Sequence, residues 1–239
     1  MLFRKPYLLP RGATLIRGVK RALVVAAHPD DEVLGCGGLM ARLVQQGSEV
    51  HVLIMSGVTT SRGASAAEIA QCEQETFEAL AVLGVHQYRR LDLPDNRFDT
   101  LPLLQLASAV EEERSMVKPD MVLTHEAGDL NVDHRLTNQA VAIALRPRVN
   151  GGEYRIWAFE TLSSSEWQDP AARSFHPQVY VDISEQLELK LRSIEKYRSE
   201  LRAYPHPRSL EGIRIMAQAR GLSICRRAAE CFSVIREIC

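Results

Sequence analysis

The stretch VVAAHPDDEVLGCGG, Val24 to Gly38, decides how this chain is read. It continues RALVVAA (21–27), an apolar run of the kind that a strand buried on both faces requires. The run stops at His28 and Pro29 and is followed by three successive carboxylates, Asp30, Asp31 and Glu32. Adjacent acids repel one another, so a loop that keeps three together needs a cation to offset them.

Working outward, strand and helix patterns alternate. The segments 49–56, 86–93, 120–125 and 154–160 read as strands. Residues 35–46, 66–83, 101–117 and 133–145 read as helices, the first two closed by Gly47 and Gly84. That alternation predicts an α/β fold, a mostly parallel sheet with helices on both faces. Ligands of such sheets bind beyond the carboxyl ends of the strands. Two polar stretches, 28–32 and 125–134, lie just past strand ends, so both are expected on one rim although about a hundred residues separate them. Farther on, QVYVDIS (178–184) reads as a strand, 185–204 as a charged amphipathic helix, YPHPRS (204–209) as a loop, and the end as helix again. Residues 1–20 are expected to form an N-terminal arm and 21–239 one domain, with 185–239 as a helical C-terminal cap.

The totals narrow the function. The chain has 239 residues, 46% of them apolar, enough for a sizeable core. A net charge of −1 gives no electrostatic footprint for nucleic acid. No apolar run reaches the ~20 residues of a membrane span. Five cysteines, none at CxxC spacing, argue against a disulfide framework or a thiolate zinc site and point to a reducing cytoplasm.

His28, Asp31 and His134 are the candidate metal ligands. Imidazole and carboxylate suit a divalent transition metal, and three protein ligands leave positions for water, as in catalytic sites. Zinc is the expected occupant; the same donors serve ferrous iron or another divalent metal. Acids capping a helix would account for one or two of these carboxylates, but not for His28 or the second cluster. Asp30, between two ligand positions, points elsewhere and is placed to act as general base. A dinucleotide site is disfavoured, because GCGG does not match GxGxxG and the acids would repel a pyrophosphate.

Together, AAHPDDEVLGCGG and THEAGDLNVDHR resemble the LmbE-like, or PIG-L, family of metal-dependent N-deacetylases, and LDLPDNRFD and YPHPRS look like its bacterial members. The resemblance implies a Rossmann-like three-layer sandwich. It also implies His28, Asp31 and His134 as zinc ligands, Asp30 as base, and an N-acetylglucosamine-type conjugate as substrate. It further implies an enzyme acting on a small molecule; the cytoplasmic location is expected from the cysteine usage, and a homo-oligomer is compatible with the sequence. One departure stands out. Where relatives carry HxDH, this chain has NVDH, so Asn131 replaces a histidine. Asparagine can donate to an oxyanion or cap a helix but cannot act as an acid, which leaves the proton to Asp30, or to His125 or Asp129. Asp95 and Arg97, with Arg62, His206 and Arg208, are candidate substrate-binding residues in loops expected to face the same rim. Turn chemistry is the alternative reading of PDN and PHPR.

Overall fold

The computed structural model describes residues 16, 18–57, 65–149, 153–168 and 175–238. The arm over 1–20 therefore falls largely outside the described residues, and so does Arg62.

Strand β1 (Arg21–Ala26) lies at the centre of the sheet. Its side chains alternate between two cores: Ala22 and Val24 pack on one face, Leu23 and Val25 on the other, all fully buried. This is why the run is apolar at every position rather than every second one. Around it, β2 (Glu49–Ser56), β3 (Gln87–Leu93), β4 (Met121–His125) and β5 (Tyr154–Phe159) are parallel. With β6 (Val179–Asp182) and β7 (Ala229–Ile238), the sheet order among the described residues is β3-β2-β1-β4-β5-β7-β6, β7 being antiparallel to both neighbours.

Helices α1 (Asp31–Gln45), α2 (Ala66–Val82), α5 (Leu187–Ile194) and α6 (Leu210–Leu222) cover one face. Helices α3 (Leu103–Val117) and α4 (Val132–Ala144) cover the other. The mixed α/β architecture and three-layer arrangement are as expected. The chain leaves β1 toward β2 on one side and returns through β4 on the other. The ends of β1 and β4 therefore form the switch point where such sheets place their ligands.

The expected helical end is corrected. Residues 229–238 form β7, wedged between β5 and β6, and their Phe, Val and Ile content suits a strand better than their Glu and Arg suit a helix. The helix expected over 185–204 is also shorter. It ends at Ile194, where the chain turns to bury Tyr197 against the site.

The glycines of GCGG serve packing. A Cβ on Gly35 would meet the Phe159 ring at 2.2 Å, and one on Gly38 would meet Ile183 at 2.8 Å. Helix α1 is broken between them, at Cys36. Glu230 of β7 accepts the freed N–H groups of Gly38 (2.8 Å) and Leu39 (2.7 Å), and Lys190 donates to Leu34 O (2.8 Å) and to Glu230 (2.6 Å). A buried ion pair thus splices the break.

Candidate metal centre

Chain geometry sets the ligands. His28 leaves the end of β1, and the turn after it puts Asp30 in the left-handed region, φ 95°, a strained conformation for a residue with a side chain. Asp31 then opens α1 and His134 lies in the first turn of α4. Their donor atoms converge. Asp31 Oδ2 is 3.2 Å from His28 Nδ1 and 3.2 Å from His134 Nε2, and the two nitrogens are 3.3 Å apart.

The far nitrogens fix the tautomers. His134 Nδ1 faces Asp129 Oδ1 at 3.0 Å, and His28 Nε2 faces Asp133 Oδ2 at 3.1 Å and Asp95 Oδ1 at 3.3 Å. Carboxylates only accept, so these nitrogens carry the protons and both lone pairs turn inward toward a third acceptor. Such a cluster attracts positive charge. Burial opposes protonation of His28, but the hydrogen bonds to Asp133 and Asp31 outweigh it and push the pKa up to about 10. Burial likewise opposes it at His134, where Asp31 and Asp129 push it up to about 9. Asp31 Oδ1 is buried with no hydrogen-bond partner. Two inward imidazoles, an unpartnered carboxylate oxygen and an outer carboxylate behind each histidine fit a divalent cation. His28, Asp95 and Asp133 form a second close group, but there the carboxylates are occupied with the His28 proton.

Asp133 and Asp129 received no orienting role from the sequence. Asp133 also accepts from Phe98 N (3.0 Å), tying the loop after β3 to the site. Asp129 is held by the Ser164 hydroxyl, by Ser165 Oγ at 2.6 Å and by Asn131 N at 2.9 Å. Against burial, its bond to His134 and these hydroxyls lower its pKa to about 2. His125, stacked on His134 with ring centroids 3.9 Å apart, is neutral: burial and the neighbouring His134 lower its pKa to about 3. Its Nε2 accepts from Ala27 N at 2.9 Å and its Nδ1 faces Thr161 Oγ1 at 3.1 Å. Neither His125 nor Asp129 lines the cavity; both are buried around the His134 ring.

A cavity of about 300 Å³ opens beside the cluster, lined among others by His28, Asp30, Asp95, Asn131, Glu200 and Arg208. Asp30 is 2% exposed. Burial pushes its pKa well above the usual carboxylate range, Arg208 opposes this, and Asp31 adds to it. Arg208 Nη1 lies 3.1 Å from Asp30 Oδ2, and its Nε donates to Ser163 Oγ at 2.7 Å. Glu32, buried beside Asp30, accepts from Tyr197 OH (2.6 Å) and Asp30 N (3.1 Å). Asn131 is the N-cap of α4, its Oδ1 accepting Asp133 N at 2.8 Å, while Nδ2 donates to Asn96 Oδ1 at 3.1 Å.

Two candidates fall away from the cavity wall. Arg97 is exposed in the loop after β3 and does not line the cavity. His206 does not line it either: its Nδ1 accepts Arg208 N at 3.1 Å, so it supports the arginine's loop.

Doubly wound α/β topology thus places a two-histidine, one-carboxylate cluster that could hold a metal ion at its switch point. The family is settled by comparison. Residues 23–145 match the model of the PIG-L family, GlcNAc-PI de-N-acetylase, and the chain belongs to that family. The deacetylase YaiS of Escherichia coli K12, described as uncharacterised, is 32% identical over 188 residues, covering 75% of this chain and 91% of that protein. Diacetylchitobiose deacetylase of Thermococcus kodakarensis is 28% identical over 199 residues, covering 76% and 70%. Among solved structures, the 4-carboxy-2-hydroxymuconate hydratase GalB of Pseudomonas putida KT2440 superposes with a TM-score of 0.73 at 21% identity, covering 92% and 98%, and so shares the fold. No helix among the described residues is long and apolar enough to cross a membrane.

Proposed function

We propose that this protein is a zinc-dependent, cytoplasmic N-deacetylase that hydrolyses the acetamide of an N-acetylglucosamine-type conjugate, releasing acetate and a free amine. The observation that carries the reading is the convergence of His28 Nδ1, Asp31 and His134 Nε2 at one wall of an open cavity. Deacetylases among its relatives support the bond that is broken.

His28, Asp31 and His134 would hold the metal. When bound, it lowers the pKa of coordinated water toward neutrality and polarises a carbonyl. Asp30 accepts the proton that water loses on attacking the acetyl carbon. Its buried carboxyl, biased toward the neutral form, then returns that proton to the departing nitrogen. Arg208 keeps the Asp30 carboxylate in place between these two transfers. One N–H of Asn131 is held by Asn96; the other donates to the carbonyl oxygen as it becomes negative. Asp95 binds substrate hydroxyls at the cavity wall.

The test is metal analysis of the purified protein followed by an acetate-release assay across N-acetylglucosamine conjugates, with chelation and zinc add-back. Zinc-restored acetate release is expected. Bound metal with no acetate from any conjugate would overturn the reading, and consumption of an unsaturated acid instead would assign a hydratase.

A further inference from the structure

Asp30 has a strained backbone, and its surroundings hold it there. A φ of 95° is one that a residue with a side chain keeps only where neighbouring groups over-determine it. Both sides of its Cα are clamped. On the carbonyl side, Asp30 O accepts two N–H groups from the first turn of α1, Val33 N at 3.0 Å and Leu34 N at 2.9 Å. On the amide side, Asp30 N donates to Glu32 Oε2 at 3.1 Å. With N–H and C=O both held, the direction of the side chain is fixed. Glu32 is fully buried, and its other oxygen accepts the Tyr197 hydroxyl at 2.6 Å. A buried carboxyl is a costly way to fill space unless its oxygens are used. Tyr197 is itself buried and lines the cavity, yet its hydroxyl is committed to Glu32. The turn that presents it grips Asp30 a second time. Tyr197 O accepts Glu200 N at 3.1 Å, and Glu200 shares Arg208 with the Asp30 carboxylate.

We propose that Tyr197 and Glu32 are positioning residues for the base: acting through the Asp30 amide, they keep its carboxyl at the cavity wall and out of the ligand cluster. This deepens the deacetylase reading and rests on it. Asp30 and Asp31 are adjacent in the chain but divide the work. Asp31 belongs to the cluster with His28 and His134 and does not line the cavity, whereas Asp30 lines the cavity and is outside the cluster. The left-handed turn at Asp30 separates them, and Glu32 is the acceptor that holds its amide. Neither Tyr197 nor Glu32 touches substrate or moves a proton in this role. A tyrosine that bound substrate would offer its hydroxyl to the ligand, not to Glu32.

The test is a double-variant cycle on acetate release from the N-acetylglucosamine conjugate that the wild type turns over best. Tyr197→Phe removes only the hydroxyl. It is expected to lower kcat roughly ten- to a hundredfold, the scale of a misplaced reacting group, with KM and zinc content unchanged. In an Asp30→Asn background the same substitution should cost nothing further, because there is no base left to position. Glu32→Gln keeps an acceptor for Asp30 N and can donate to the phenol oxygen, so it should retain most of kcat. Glu32→Leu, of similar volume, should lose at least as much as Tyr197→Phe. Hydrogen exchange at the Asp30 amide gives a reading that needs no turnover, and Tyr197→Phe should speed it. Unchanged kcat in Tyr197→Phe overturns the proposal, as does a loss that rises in KM instead or repeats in full on Asp30→Asn. If the wild type releases no acetate from any conjugate, the deacetylase reading fails, and the exchange arm alone decides the positioning: an Asp30 amide indifferent to Tyr197→Phe overturns it.

Discussion

Arg208 reaches Asp30 across 178 positions of chain and sets one guanidinium nitrogen 3.1 Å from its carboxylate, sharing that nitrogen with Glu200 at 3.3 Å. The guanidinium favours the ionised form of a buried acid that burial would otherwise neutralise. Arg208→Met should therefore raise the Asp30 pKa further. A base must be ionised to act, so the acid limb of the kcat/KM profile should move to higher pH, with activity partly recovered in alkaline buffer. A profile identical to the wild type would remove Arg208 from this role.

Asp30 itself holds no place in the ligand cluster, so Asp30→Asn should keep the bound metal. Loss of a general base costs about 10²- to 10⁴-fold in rate, and turnover should fall by that order. Metal content and kcat, measured on one preparation, separate this outcome from a ligand defect. Full activity would send the proton elsewhere.

The outer carboxylates should act on affinity. Asp129→Ala and Asp133→Ala free the imidazoles of His134 and His28 to change tautomer and rotate. Such partners are worth roughly 10- to 100-fold in metal affinity, and competition against a chelator would show it. Asp133→Ala should also loosen the loop at Phe98, whose N–H it accepts.

Much of this was legible in the sequence, for particular reasons. The unbroken apolar run of β1 marked a strand buried on both faces, and a proline and three acids at its end marked a place where local stability had been given up for chemistry. Alternation of strand and helix then put His134 on the same rim as His28. What could not be read is what depends on partners remote in the chain. Asp133 looked like an ordinary first-turn acid, because only the folded sheet brings His28 Nε2 to it. Glu230 fell within the end read as helix, and the break at Cys36 that needs its oxygens is invisible in GCGG. The 229–238 segment was expected to be helix and is a strand paired with β5 and β6, both remote from it in the chain.

The break at Cys36 gives a stability prediction. Glu230 is 4% exposed, with Lys190 and two backbone N–H groups as partners. Glu230→Ala strands a buried ammonium and two amides, and should cost about 3–5 kcal/mol by denaturant titration. Replacing both members, as Lys190→Met with Glu230→Leu, should recover only part of this. The Gly38 and Leu39 amides stay unpaired whatever happens to the lysine. Full recovery in the double variant would mean that these amides find other partners.

Asn131 allows its two jobs to be separated, because they use different atoms of one amide. Its oxygen caps α4 through Asp133 N, and its nitrogen faces Asn96 and the cavity. Serine keeps an oxygen for the cap and has no amide N–H. Asn131→Ala should lose both, costing about 1 kcal/mol of stability for the missing cap. Asn131→Ser should hold stability within a few tenths of a kcal/mol of the wild type, since serine caps as well as asparagine. If the second N–H stabilises the developing negative oxygen, both variants should lose kcat by about 10²-fold with KM little changed, because an interaction made only in the transition state leaves ground-state binding alone. If Asn131 merely caps, kcat in Asn131→Ser should match the wild type while Asn131→Ala falls only as far as its stability does. Thermal unfolding and steady-state kinetics on the same two proteins distinguish these outcomes, and equal kcat in serine and asparagine forms would take the oxyanion role away from this residue.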